Sequence, residues 1–280
     1  MKTSGYYINL STFSLEKLEG SLKSARLLPS QKVLQEDLEN RFALLKKHAI
    51  KNLQDLQTAL KTKQHVLAFA DTTGLPVDFL TILRREVNSY QPKSIQLKDI
   101  PGINEDTISK LAVMNIKHTL QLYSRVNTPQ ARAALAKDAG LSGEVVLELA
   151  KFTDVVRLRW VGPKFARLLI ESEYDTVEKI AAADGKTLFA HLAQVNKEKG
   201  IYSGGLGLDD FIYWINDHVK NAPLAIEYYG NSLNMKEVDF SNLERPIYPM
   251  PDFVKKALES QGLMVTYRER PAYQQNDYIS

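Results

Sequence analysis

The chain has 280 residues, 44% of them hydrophobic and 25% charged, an ordinary globular composition that suits one long domain or two to three short ones. It holds no cysteine, which excludes disulfides, thiolate nucleophiles and Cys-based zinc sites; no apolar run approaches the roughly 20 residues of a membrane span, and Met1 to Leu10 lacks a secretory stretch, so a soluble cytoplasmic protein is expected. The net charge of +3 is too small to announce nucleic acid, and residues 97–223 balance 16 Lys/Arg against 16 Asp/Glu, so any anion-binding face must be local.

In chain order, residues 1–35 read as a separate N-terminal helical element, with Ser14-Leu15-Glu16-Lys17 opening a helix that should run to about Leu28. Next comes an internal repeat. An ungapped match at an offset of 66 sets Leu45 on Leu111, Ile50-Lys51 on Ile116-Lys117, Leu56 on Leu122, Gly74 on Gly140 and Leu83 on Leu149. A second match, at an offset of 58, sets Ile103 on Val161, Leu111 on Leu169, Ile116 on Tyr174 and Leu122 on Ile180. Three units follow: a helical unit over 36–96, a helix-hairpin-helix unit over 97–157 and another over 158–223. Within them the apolar spacing is helical, as in Ile108, Leu111 and Ala112 or Ala166, Leu169 and Ile170. Gly74 and Gly140 each stand where a positive φ commonly ends a helix.

After Pro223 the character changes. Ile226 to Gly230, Lys236 to Phe240 and Met264 to Tyr267 have strand composition, and Pro251 to Gln261 reads as a helix capped by Asp252 and closed by Gly262. The expected fold class is therefore mainly α, tandem helix-hairpin-helix repeats followed by a small α+β appendage over 224–280.

Two segments, Ile100 to Glu105 and Trp160 to Lys164, have the look of the turn between paired helices. In a DNA-binding hairpin of this kind, small residues let the backbone approach a phosphate, and the next helix offers its unpaired N–H groups and the positive end of its dipole. Such contacts are sequence-independent and salt-sensitive. The later hairpin partly fits: Arg157, Arg159, Lys164 and Arg167 come with no acidic residue between Val155 and Ile170, Pro163 suits a first helical position, and Trp160 could stack on a base or sugar. The candidate nucleic-acid-binding set is Arg157, Arg159, Trp160, Gly162, Lys164 and Arg167; the alternative is a solvated basic turn whose Trp160 packs on the next unit. In the earlier hairpin Glu105 and Asp106 repel phosphate and read as helix caps. The first unit has no hairpin glycine, only Asp37 to Asn40.

Thr153 to Leu158, Val161 to Ala166, Asp175 to Ile180 and Leu192 to Asn196 together resemble an uncharacterised bacterial and archaeal helix-hairpin-helix family catalogued as a domain of unknown function, over about residues 40–222. The resemblance implies a fold and no activity, since the family's nucleic-acid role itself rests on analogy with repair and polymerase hairpins; Trp160, Asn104, Glu105 and Asp106 depart from its usual glycine, glycine, proline and lysine. Met250 to Val254 and Tyr267 to Ile279 resemble a segment of bacteriocin-protection or OmpD-associated proteins, which normally continues through a tryptophan into another helix; the expectation is a truncated chain or a different use of the segment.

No enzyme is expected. Gly185-Lys186-Thr187 ends like a P-loop, but Ile180 stands where the first glycine belongs, and a helix-terminating turn is the better reading. His48, His65, His118, His191 and His218 show no ligand spacing, so no metal is expected, and Ser203 to Gly207 lacks the surroundings of a dinucleotide fingerprint, so no cofactor is. It reads instead as a loop before a helix Asp209 to Val219. The expected partners are DNA, held by its phosphate backbone, or a protein, including a second copy held through residues 224–280. No membrane is among them.

Overall fold

Most of the helices begin where the sequence supplies a side-chain cap. Ser14 accepts from the Lys17 amide and opens α1, Leu15–Ser24; a 3-10 stretch, Pro29–Leu34, leads to α2, Leu38–Lys47. Asn52 caps α3, Leu53–Ala59, and Thr62 caps α4, Lys63–Thr73; α5 runs Val77–Ser89. Asn104 caps α6, Glu105–Val113, and His118 and Thr128 cap α7, Thr119–Val126, and α8, Pro129–Ala139. Ser142 caps α9, Gly143–Val156, which is followed by α10, Pro163–Glu171, and α11, Val177–Ala182. Finally come α12, Gly185–Lys199, and α13, Leu208–Trp214, which runs into a π-helical turn, Ile215–Val219. The structure, a computed structural model, describes residues 5–25, 27–205 and 207–228, and among them the chain is mainly helical with no strand. No described helix is long and apolar enough to cross a membrane.

The same turn geometry occurs three times. Positive φ falls at Ala49, Asn115 and Glu173, steps of 66 and 58, each just after the first helix of a set of four. There the amides of Ile50, Ile116 and Tyr174 reach back to the carbonyls of Leu45, Leu111 and Leu169, at 3.0–3.1 Å, the six-to-one bond of a Schellman turn. Gly74, Gly140 and Gly200 turn left-handed between the third and fourth helices. Asp37, Gly102 and Trp160 do so just before the first. An antiparallel bridge ties the chain ahead of each of the first two sets to the start of the set's second helix: the Leu53 amide meets the Phe13 carbonyl, and 66 residues on the Thr119 amide meets that of Ile95. At the third, Val177 instead donates to the Asp154 carboxylate at 3.0 Å, because the preceding chain is still helical there.

The sets bury two apolar clusters. The first gathers Leu10 to Leu34 with Leu38 to Tyr90, so the N-terminal residues share the core of α2 to α5. The second runs from Leu97 to Ile226 and takes in α6 to the π turn as well as Tyr6. By contacts the chain divides into residues 1–230 and 231–280.

Some expectations shift. The first helix stops at Ser24, four residues early, where Ala25 turns extended. Gly185 opens α12 behind the cap Asp184 and does not end a helix. Ile226 to Tyr228 form no strand. They belong to an extended strap, residues 222–228, whose carbonyls are taken by side chains. The strands expected at Lys236 to Phe240 and Met264 to Tyr267, the helix at Pro251 to Gln261 and the segment resembling bacteriocin-protection proteins lie outside the described residues.

Candidate binding surface

The basic residues between α9 and α10 do not form one face. Arg157 ends α9 with its side chain buried, and its Nε and Nη2 both donate to Oδ1 of Asp154 at 2.9 and 2.7 Å. Nη2 also donates to the Pro223 carbonyl at 2.6 Å, in the strap. The other Asp154 oxygen accepts from the Val177 amide and, at 3.1 Å, from the Tyr228 hydroxyl. A buried ion pair is tolerable only when its remaining hydrogen-bonding capacity is met this way.

Arg159 is equally buried, between the two apolar clusters. Its Nη2 pairs with Glu86 of α5 at 2.7 Å and its Nη1 meets His218 Nε2 at 3.1 Å, while the guanidinium lies over the rings of Tyr90 and Trp160 at 4.2 and 4.0 Å. Burial, and then the neighbouring Arg159 charge, push the His218 pKa down to about 2, so its ring is neutral.

Arg167, on α10, reaches across to the earlier hairpin. Its Nη2 donates to the Pro101 carbonyl and its Nη1 pairs with Glu148 at 2.7 Å, with Glu171 at 3.6 Å. A Cβ at Gly102, where φ is +85°, would stand 3.3 Å from that guanidinium, so the glycine answers both a left-handed turn and a close approach. Lys199 and Arg167 hold the Glu171 carboxyl below its usual range, the hydrogen bond from Lys199 contributing most.

The remaining residues of the set are at the surface. Trp160 is 56% exposed at φ +65°, its ring edge-to-face with His218 at 4.7 Å. Gly162 precedes α10 in extended conformation with no side-chain capping bond and open space where a Cβ would stand. Lys164 is exposed and has no ion pair or hydrogen bond among the described residues. The structure thus brings Trp160, Gly162 and Lys164 together in an accessible turn between α9 and α10 and sets Arg157 and Arg159 inside, out of reach of a solvent phosphate. At the earlier hairpin Asn104 caps α6 and Asp106 pairs with Lys110 at 2.7 Å.

The partners that consume the arginines are the residues sequence reasoning missed. Asp154 is three residues before Arg157, a helical spacing that carried a signal. Glu86 and His218 stand 73 and 59 residues from Arg159, and nothing local announces them. Arg132 was also missed: it is buried on α8 and donates to the carbonyls of Val126, Glu227 and Tyr228 at 2.8–3.2 Å, fastening the strap together with Tyr123, whose hydroxyl donates to Ala225 at 3.0 Å.

Residues 101–204 match the model of a family described as a domain of unknown function (DUF4332). The match begins in the earlier hairpin, ends in the loop after α12, and takes in the whole candidate set. No curated protein and no solved structure matches the chain.

Proposed function

We propose that this chain is a non-catalytic cytoplasmic binding protein whose contact surface is the hairpin tip Trp160 to Lys164, and that its partner there is a protein. One observation carries the reading. Of the four cations around this hairpin, three are spent on internal partners, leaving a half-exposed indole beside Lys164, which has no partner among the described residues. Sequence-independent DNA affinity is a sum over neutralised phosphates, and one lysine supplies a salt slope of only about −1. Tryptophan is among the residues most enriched as anchors in protein interfaces.

A second reading, helix-hairpin-helix binding of a DNA phosphate, keeps one observation in its favour: α10 begins without a side-chain cap, next to exposed Gly162 and Lys164. The two separate in paired assays. A gel shift at about 50 mM salt, where phosphate contacts are strong, should show no retardation. Cross-linking from the hairpin tip in an extract should yield a discrete protein adduct that Trp160→Ala removes and Lys164→Glu weakens less. Retardation abolished by Lys164→Glu would reverse the assignment.

A further inference from the structure

The strap rests on a face of the second unit whose counterpart on the first is open. Tyr123 and Arg132 donate to the carbonyls of Ala225, Glu227 and Tyr228, and the Glu227 amide donates to the Asn127 carbonyl at 2.8 Å. Asp154 takes the Tyr228 hydroxyl and Arg157 the Pro223 carbonyl. The helices α3, α4 and α5 repeat α7, α8 and α9 at a step of 66 without a gap: Leu53, Lys63 and Val77 open the earlier three where Thr119, Pro129 and Gly143 open the later. That step carries Tyr123, Asn127, Asp154 and Arg157 onto Gln57, Lys61, Asn88 and Gln91.

The two faces differ in cover and in charge. Tyr123, Asp154 and Arg157 are buried, whereas Lys61 and Asn88 are exposed and Gln57 and Gln91 only partly covered. Gln91 Nε2 donates to the Ile8 carbonyl at 3.2 Å, and the Asn88 side chain has no partner among the described residues. Arg132 has no counterpart, since Val66 stands in its place; an arginine reaches the same turn from α5 instead, Arg84 Nη2 donating to the Lys61 carbonyl at 3.0 Å. Among the described residues Lys61, Lys63, Arg84 and Arg85 have no ion pair, and Glu86, next along α5, is turned inward to Arg159. Side-chain amides can both donate to and accept from a peptide backbone. The cations select the side chains that the peptide brings.

We propose that the face of α3 to α5 around Lys61 and Asn88 docks an extended, acidic peptide segment of a partner protein, as the strap docks on α7 to α9. This face shares no residue with the turn Trp160 to Lys164, so either surface can fail alone.

Titrating the full chain with a glutamate-rich peptide, followed by amide-resolved nuclear magnetic resonance, tests it. Shifts should gather on Gln57 to Lys63 and Arg84 to Gln91. Lys61→Glu should weaken binding about tenfold, the loss of a charge-assisted hydrogen bond, and Asn88→Ala about threefold although it changes no charge. Both positions are exposed, and an unchanged thermal midpoint checks that each variant keeps the fold. Absence of shifts, shifts confined to Trp160 to Lys164, or full affinity in Asn88→Ala, the mark of diffuse charge attraction, each overturns the docking face. A single-stranded DNA of equal charge that binds these residues more tightly than the peptide reassigns the face to a phosphate chain and overturns it too. Shifts at the same residues on concentrating the chain alone mean that a second copy fills the face, and refute a foreign partner.

Discussion

A single carboxylate, that of Asp154, holds together three parts of the chain remote in sequence: Arg157 at the end of α9, the start of α11 and Tyr228 of the strap. Removing one member of a buried pair leaves the other charge without compensation, which typically costs about 3–5 kcal/mol. Asp154→Ala should lower the unfolding free energy by that order in chemical denaturation, far more than Asp106→Ala, whose partner Lys110 lies at the surface. His218 gives a second prediction. Its folded pKa lies near 2 against an ordinary 6.5, so below pH 6.5 the unfolded chain binds a proton that the folded one refuses. Stability therefore falls as pH drops from about 6.5 towards 2, by up to about 1.4 kcal/mol per pH unit from this residue. Glu171, held low by Lys199 and Arg167, contributes with the same sign, so the comparison is with His218→Gln, whose acid melting curve should be flatter across that window.

At the scale of the element, the three units differ at one turn. Asp37, Gly102 and Trp160 all adopt positive φ there, and only one is glycine. For Trp160 the left-handed backbone costs about 1–2 kcal/mol. Stacking on Arg159 and His218 returns about 0.5–1.5 kcal/mol. Trp160→Gly should accordingly shift the unfolding free energy by less than about 1 kcal/mol while removing the proposed anchor, which makes it a clean probe of binding; a large loss of stability would mean that the indole is there for packing. Gly102→Ala has no such compensation, since it meets both a strained φ and the Arg167 guanidinium, and should cost about 1–3 kcal/mol by thermal unfolding.

Over the whole molecule, the strap decides where the chain can be cut. Residues 222–228 are held by Arg132, Arg157, Tyr123 and Asp154 and bury Ile226, so they belong to the second core although their composition suggested the tail. Deleting residues 224–280 should strip Arg132 of the Glu227 and Tyr228 carbonyls, Asp154 of the Tyr228 hydroxyl and the core of Ile226, and so lower the midpoint of thermal unfolding, whereas deleting 231–280 keeps all of these contacts. The shorter deletion is thus the one to use when asking whether the C-terminal residues mediate self-association. Arg132→Ala should open the strap to limited proteolysis that the unaltered chain resists there.

The sequence by itself determined the helical class, the recurrence of one turn at steps of 66 and 58 and several helix ends, because apolar spacing, Ser14 before α1, Glu105 and Asp106 opening α6, Pro163 opening α10 and the glycines at 74 and 140 act over a few residues. It also marked Trp160, Gly162 and Lys164, which are exposed in the turn before α10. What only the tertiary structure decided is the fate of charge. Arg157, Arg159 and Arg167 read as one basic cluster along the chain, but a guanidinium reaches whichever acceptor the fold brings near, and those acceptors are Asp154, Glu86, Glu148, His218 and the carbonyls of Pro101 and Pro223. Local periodicity encodes the turns; pairing across 59 to 73 residues is encoded only in their packing.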